Sequence, residues 1–302
     1  MAATRLFSQS DARGWIPWGL LAPVIGLVFV AAPVLATDGL FQDLGFVDAR
    51  GGPIGLRGLL VFLLIPFFLM SLIVLAWTRL VERRSLASIG LGLPGARRSF
   101  VRGLVLGLAT ILSVIAAIFL FGGFKAGPVA AALHTPASLP AILALLVCFV
   151  IQASSEELLF RGWLMSAVAR RINLPVAVLL TSALFTLLHF SRGQFWVVTL
   201  GSFMFSLFAC CWAIKANNIW GVMGWHTGWN WLLAVGFELP VTGIDAHVPA
   251  LLLKLVPNGP DLLTGGAEGP EGSYLCVLLL AIWSAILIWR IRRQRPKPAL
   301  AA

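Results

Sequence analysis

Charge is scarce in this sequence: Asp, Glu, Lys and Arg make up 11% of its 302 residues, where a soluble domain carries about 25%. With 59% hydrophobic residues and a mean hydropathy of +0.94, that scarcity excludes an ordinary soluble protein. Cysteine is scarce too. Cys148, Cys210, Cys211 and Cys276 all fall inside apolar runs and none has metal-binding spacing, so neither a disulfide framework nor a cysteine metal site is expected. An HExxH helix is missing, as are internal repeats and low-complexity tracts apart from the basic tail Arg290–Lys297.

What the sequence does have is apolar runs long enough to cross a bilayer. They fall roughly at 15–37, 56–78, 101–124, 138–168, 174–190, 195–214, 218–237 and 273–290. The expectation is an all-α polytopic membrane protein of about eight transmembrane helices, residues 1–302 forming a single domain. The fifth run is short, but Asn173 as N-cap and Pro175 in the first turn mark its start. Val34-Leu35-Ala36 resembles a signal-peptide cleavage site, yet the apolar core before it is longer than a normal signal and seven further runs follow; a retained first helix is expected.

The net charge of +10 invites a nucleic-acid reading, which its distribution opposes. With the N-terminus in the cytoplasm, sixteen of the 22 Lys and Arg residues fall on cytoplasmic segments and helix ends; five fall on the far side, and Arg161 lies within the fourth span. The bias follows the positive-inside rule, so the basic balance reports topology, both termini are expected in the cytoplasm, and the partner is the lipid bilayer rather than nucleic acid. Residues 290–302 form a basic cytoplasmic tail. The loop 79–100 is Arg-rich and cytoplasmic; the loop 38–57 carries Asp38, Asp43 and Asp48 on the far side. The longest connection, 238–272, is acidic and rich in Gly and Pro, and reads as a solvated connector, with a lid over a cavity as the alternative.

Against this background a few polar residues stand out within the spans: Glu156, Glu157 and Arg161 on the fourth, His189 on the fifth, His226 and Asn230 on the seventh. Even on the most lenient scale a carboxylate at mid-bilayer costs about 2.5 kcal/mol, so intramembrane acids are functional by default. Glu157 and Arg161 are four apart with the acid first, the favourable order for a same-face ion pair. Glu156 is turned about 100° away and keeps no local partner. His226 and Asn230 share a face, as do Phe185 and His189. Counted from the cytoplasmic helix ends at 1.5 Å per residue, Glu156 lies about 21 Å inward, His189 about 24 Å, Asn230 about 20 Å and His226 about 13 Å. Groups from three helices thus come within reach of one another. Their chemistry suits water activation: an isolated carboxylate as general base, an imidazole to share the water, and a His–Asn pair to stabilise an oxyanion.

The segments Glu156-Glu157-Leu-Leu-Phe-Arg161, Phe185-Thr-Leu-Leu-His189 and His226-Thr-Gly-Trp-Asn230 resemble the three motifs of the CPBP family, also called Abi, the CaaX-protease and bacteriocin-processing intramembrane proteases. The resemblance covers roughly 138–237, an implied catalytic core. It implies an intramembrane endopeptidase in which Glu156 activates water, His189 holds that water, and His226 and Asn230 form the oxyanion site, with Glu157, Arg161 and Phe185 as structural support. Metal dependence stays open: Glu156, His189 and His226 could ligate Zn, while the lack of an HExxH helix and of Cys ligands favours a metal-free mechanism. The bland readings are an ion pair for Glu157 and Arg161, which is accepted, and a second structural acid for Glu156. His134 and His247 sit in loops and receive no role. Competing functions are a proton-coupled transporter, for which inverted repeats are lacking, and a non-catalytic membrane scaffold or immunity protein. The expected partner is a peptide or protein substrate, with lipidated ones among the candidates. A bacterial plasma membrane is the expected location, since Arg greatly outnumbers Lys.

Overall fold

The computed structural model describes residues 6–7 and 12–293. Helices occupy all eight apolar runs. They are α1 (Leu21–Asp43), α2 (Gly55–Ala76), α3 (Ala96–Leu120), α4 (Leu139–Glu157) with its continuation α5 (Met165–Arg171), α6 (Leu174–Leu188), α7 (Trp196–Ala216), α8 (Trp220–Trp231) and, last in the chain, α10 (Tyr274–Arg293). The protein is a polytopic all-α membrane protein. Residues 294–302 of the basic tail lie outside the described residues.

Six of the eight helices are long and apolar enough to cross a membrane. The two that are not are α6, with 15 residues, and α8, with 12. α8 lies inside the protein: every residue from Gly221 to Asn230 is buried, and the helix runs on into a buried π-wound turn, Leu232–Gly236. These two short helices carry the motif histidines and Asn230.

Several boundaries differ from expectation, two of them with a visible cause. Instead of starting at 15, α1 starts at Leu21, because residues before it are tied to other elements: Gly14 and Trp15 donate their N–H groups to the carbonyls of Glu82 (3.0 Å) and Val81 (3.2 Å), and Arg171 Nη2 donates to Ile16 O (2.7 Å). The third helix stops at Leu120, where Gly122 adopts φ +79°, and the chain enters strand β1 (Phe124–Val129).

That strand overturns the solvated-connector reading of 238–272. It pairs antiparallel with β2 (Leu253–Pro257), in the register Phe124↔Pro257 to Val129↔Leu253 with an irregularity between Ala126 and Val129. A short helix, α9 (Asp261–Thr264), follows. Val241, Ala246, Val248, Leu255 and Leu263 are buried, so this connection is a folded cap on the bundle end opposite the loop 79–100.

Two close approaches fix the helices that matter for the site. The first joins α3 to α8, backbone against backbone. A Cβ on Gly103 would stand 1.9 Å from Gly221 O and one on Gly107 2.1 Å from Trp225 O; reciprocally, one on Gly224 would stand 2.0 Å from Phe100 O and one on Gly228 2.4 Å from Leu104 O. Small residues four apart on both helices permit this contact, which is how helices associate where lipid removes the hydrophobic driving force. Between α2 and α4, Ser155 Oγ donates to Phe67 O (2.7 Å) and lies 2.6 Å from Ser71 Oγ.

The Arg-rich loop is partly buried. Glu82 is fully buried and accepts the indole N–H groups of Trp163 (2.8 Å) and Trp77 (3.1 Å); Arg84, 1% exposed, pairs with Glu82 and donates to Ser166 Oγ (3.0 Å). This polar knot ties the segment after α2 to Trp163 and to α5.

Candidate active site

Right after Glu157, α4 changes winding: residues Leu158–Leu164 form a π-helical segment. The wider turn admits one more residue per turn and is frequent at functional sites. It also contains Arg161, whose Nη1 lies 3.0 Å from Glu157 Oε1, both side chains fully buried. The same oxygen accepts Nδ1–H of His226 at 2.9 Å. Glu157 therefore serves Arg161 and His226 together, where sequence spacing assigned it to Arg161 alone.

Glu156 points elsewhere. Its Oε2 lies 3.8 Å from Nε2 of His226, buried and without a hydrogen-bond partner. On α8, one turn beyond His226, Asn230 Nδ2 donates to Gln152 Oε1 at 3.0 Å. One N–H of Asn230 is used there and a second is left. Gln152 precedes Glu156 by four residues on the same face of α4, so helical spacing could have drawn it into the site; its lack of charge hid it.

His189 caps α6, with Nδ1 2.8 Å from Phe185 O. A carbonyl oxygen only accepts, so Nδ1 carries the hydrogen and Nε2 is the nitrogen left for other partners. The imidazole stacks on Phe185 with centroids 4.1 Å apart, and the Arg161 guanidinium sits 4.6 Å from the same Phe185 centroid. Phe205 stacks on Phe185 at 5.8 Å and meets His226 edge-on at 4.8 Å. An aromatic cluster thus sets the spacing between the two histidines.

Glu156, His189, His226 and Asn230 all line one cavity of about 320 Å³, with Gln152 and Phe185 beside them; Glu157 and Arg161 stand outside it. Its walls are otherwise mostly apolar, including Leu63, Phe67, Met70, Phe149, Phe160 and Phe205. Its roof comes from the cap: Val241, Thr242, Ile244, Ala246, Glu268, Glu271 and Gly272. Sequence reasoning missed Glu268 and Glu271, because only the non-local packing of the segment before α10 against α7 and α8 brings them over the cavity. Among the three tryptophans around Asn230, Trp229 lines the cavity, while Trp225 donates to Thr110 Oγ1 (2.9 Å) and Trp231 to Ile142 O (3.1 Å) as packing contacts.

Among the described residues, no three His, Cys, Asp or Glu side chains come together as a group able to hold a metal ion. The arrangement does not fit zinc ligation by Glu156, His189 and His226, and no step below passes through a metal. His134 lies on the β1–α4 connection, and His247 is exposed beside Asp245.

Residues 137–232 match the family described as Rce1-like type II CAAX prenyl endopeptidase. Neither the comparison with curated proteins nor that with solved structures found a match. The matched segment runs from the start of α4 to the end of α8 and contains all three motifs around the cavity. This membrane protein therefore carries, over residues 137–232, a domain of the CPBP (Abi) family of membrane proteases.

Proposed function

We propose that this protein is an intramembrane endopeptidase, with 138–237 as its catalytic core, which hydrolyses a peptide bond inside the cavity beneath the cap. The supporting observation is the convergence of Glu156, His189, His226 and Asn230, from three helices, on one largely apolar cavity.

Glu156 takes a proton from a water that Nε2 of His189 also holds, and the hydroxide adds to the scissile carbonyl carbon. The carbonyl electron pair moves to oxygen. Asn230 Nδ2 and His226 Nε2 donate to that oxyanion. With Nδ1–H fixed on Glu157, His226 offers an N–H at Nε2 only as the imidazolium; in that form Glu156, Glu157, Arg161 and His226 sum to no net charge. When the tetrahedral intermediate collapses, the C–N bond breaks and Glu156 returns its proton to the leaving amine. Glu157, Arg161 and Phe185 hold the histidines in place.

The substrate is a peptide or protein reached within the membrane, and a bacterial plasma membrane is the proposed location. The test is cleavage of a quenched-fluorescent peptide library by the purified full-length protein in liposomes. Glu156→Gln should slow cleavage about 10²–10⁴-fold, the usual contribution of a general base. Equal cleavage by wild type and variant would overturn the reading, and rescue of a null strain by Glu156→Gln would replace it with a binding role.

A further inference from the structure

The roof of the cavity carries two carboxylates that the mechanism does not use. Glu271 is fully engaged: Oε1 accepts the Trp229 indole N–H at 2.7 Å, and Oε2 accepts the Thr242 backbone N–H at 2.9 Å and its hydroxyl at 3.2 Å. Glu268, three residues earlier, also lines the cavity, half-buried. Among the described residues, its carboxylate has neither a hydrogen bond nor an ion pair. Burial, and after it the negative charge of Glu271, pushes the Glu268 carboxyl up, while nearby His189 pulls it down.

The rest of the lining gives this free carboxylate a meaning. Among the described residues, no Lys or Arg lines the cavity, and His189 and His226 are the groups there that can carry positive charge. Glu156 at the floor lines the same cavity with 10% of its side chain exposed, while its Oε2 is buried 3.8 Å from His226 Nε2 without a hydrogen-bond partner. A carboxylate removed from bulk water and left unpaired favours an arriving cation and penalises an arriving anion.

We propose that the cavity selects a peptide segment carrying a lysine or arginine side chain next to the scissile bond, with Glu268 as the receptor for that cation, and that it rejects a free C-terminal carboxylate there. The proposal rests on the endopeptidase reading and narrows its substrate class. Glu268 is near enough to His189 to feel its charge, so a cation paired with Glu268 lies near the imidazole that holds the water, and the backbone next to it enters the cavity that Glu156 also lines. The apolar wall of Phe67 and Phe149 receives the uncharged neighbours of the basic residue.

The experiment uses the full-length protein in liposomes and matched peptides carrying Lys, Arg, norleucine or Glu at one scanned position, each with a free or amidated C-terminus. Wild type should prefer Lys or Arg to norleucine by about 10–100-fold in kcat/KM, the range of a charge-assisted hydrogen bond. Glu268→Gln should bring that ratio close to one, and Glu268→Lys should shift preference towards the Glu peptide. Unchanged ratios in both variants would overturn the proposal. Equal slowing of the Lys and norleucine peptides by Glu268→Gln would also overturn it, because Glu268 would then act through His189. Fluorescence anisotropy of the same labelled peptides, bound to wild type, Glu156→Gln and Glu268→Gln, needs no turnover. If nothing is cleaved, the endopeptidase reading fails, and a Lys-over-norleucine binding preference that depends on Glu268 still decides this proposal.

Discussion

Glu157 and His226 are joined at 2.9 Å across α4 and α8, both buried, and the same carboxylate oxygen holds Arg161. The adjacent Glu156 has no hydrogen-bond partner for its Oε2. Two neighbouring acids therefore have opposite energetic roles. Glu157→Gln would leave Arg161 as a buried charge without its counter-ion and should cost about 3–5 kcal/mol. Glu156→Gln loses no such partner. Thermal unfolding followed by tryptophan fluorescence should show a large drop in Tm for Glu157→Gln and little change for Glu156→Gln, although both should be inactive. Equal drops in Tm would refute the division.

The α3–α8 seam should tolerate no added methyl group. Gly107→Ala would place a Cβ 2.1 Å from Trp225 O, so the helices must separate, at about 1–3 kcal/mol. Gly39→Ala meets nothing within 4 Å and serves as the control. Detergent-extracted yield on size exclusion should fall for the first and hold for the second; a normal profile for Gly107→Ala would refute the close packing.

Gln152 is expected to act through Asn230. Gln152→Ala removes the 3.0 Å partner that orients the amide. The expected result is a decrease in kcat of about tenfold, the worth of one hydrogen bond, with KM little altered. A change confined to KM would place Gln152 in substrate binding instead.

A pH dependence follows from the roof. The raised Glu268 carboxyl means that the folded protein holds this proton more tightly than the unfolded chain does. Its stabilising contribution is complete below the ordinary carboxylate value of 4.5 and is lost as pH rises through the raised value. Wild type should therefore lose Tm relative to Glu268→Gln as pH is raised from 4 to 7 (about the carboxylate range). A gain over that interval would contradict the sign.

Much of this was legible in the sequence because lipid makes polar residues expensive. Glu156, His189, His226 and Asn230 stand out against apolar spans, and helical spacing alone separates Glu156 from Glu157. Three things were hidden, each for a physical reason. The π-wound turn after Glu157 leaves no mark on hydropathy. The strands β1 and β2 pair residues more than a hundred positions apart, which local pattern cannot reveal. Glu268 and Glu271 read as ordinary loop acids because their place above the cavity depends on packing against α7 and α8, far away in sequence. Gln152 is the exception, since its spacing from Glu156 was in plain view.

The shortness of α6 reaches beyond the protein itself. Its 15 residues rise only about 22 Å, against a hydrocarbon core of about 30 Å. Leu179, Leu187 and Leu188 are exposed along it. Where so short a helix crosses the bilayer, one way of meeting the mismatch is a local thinning of the lipid beside it, which brings the headgroup layer closer to the helix end. Acyl chain length thus becomes a control on how readily water enters from that flank, and a bilayer of long, ordered chains works against the wetting that hydrolysis needs.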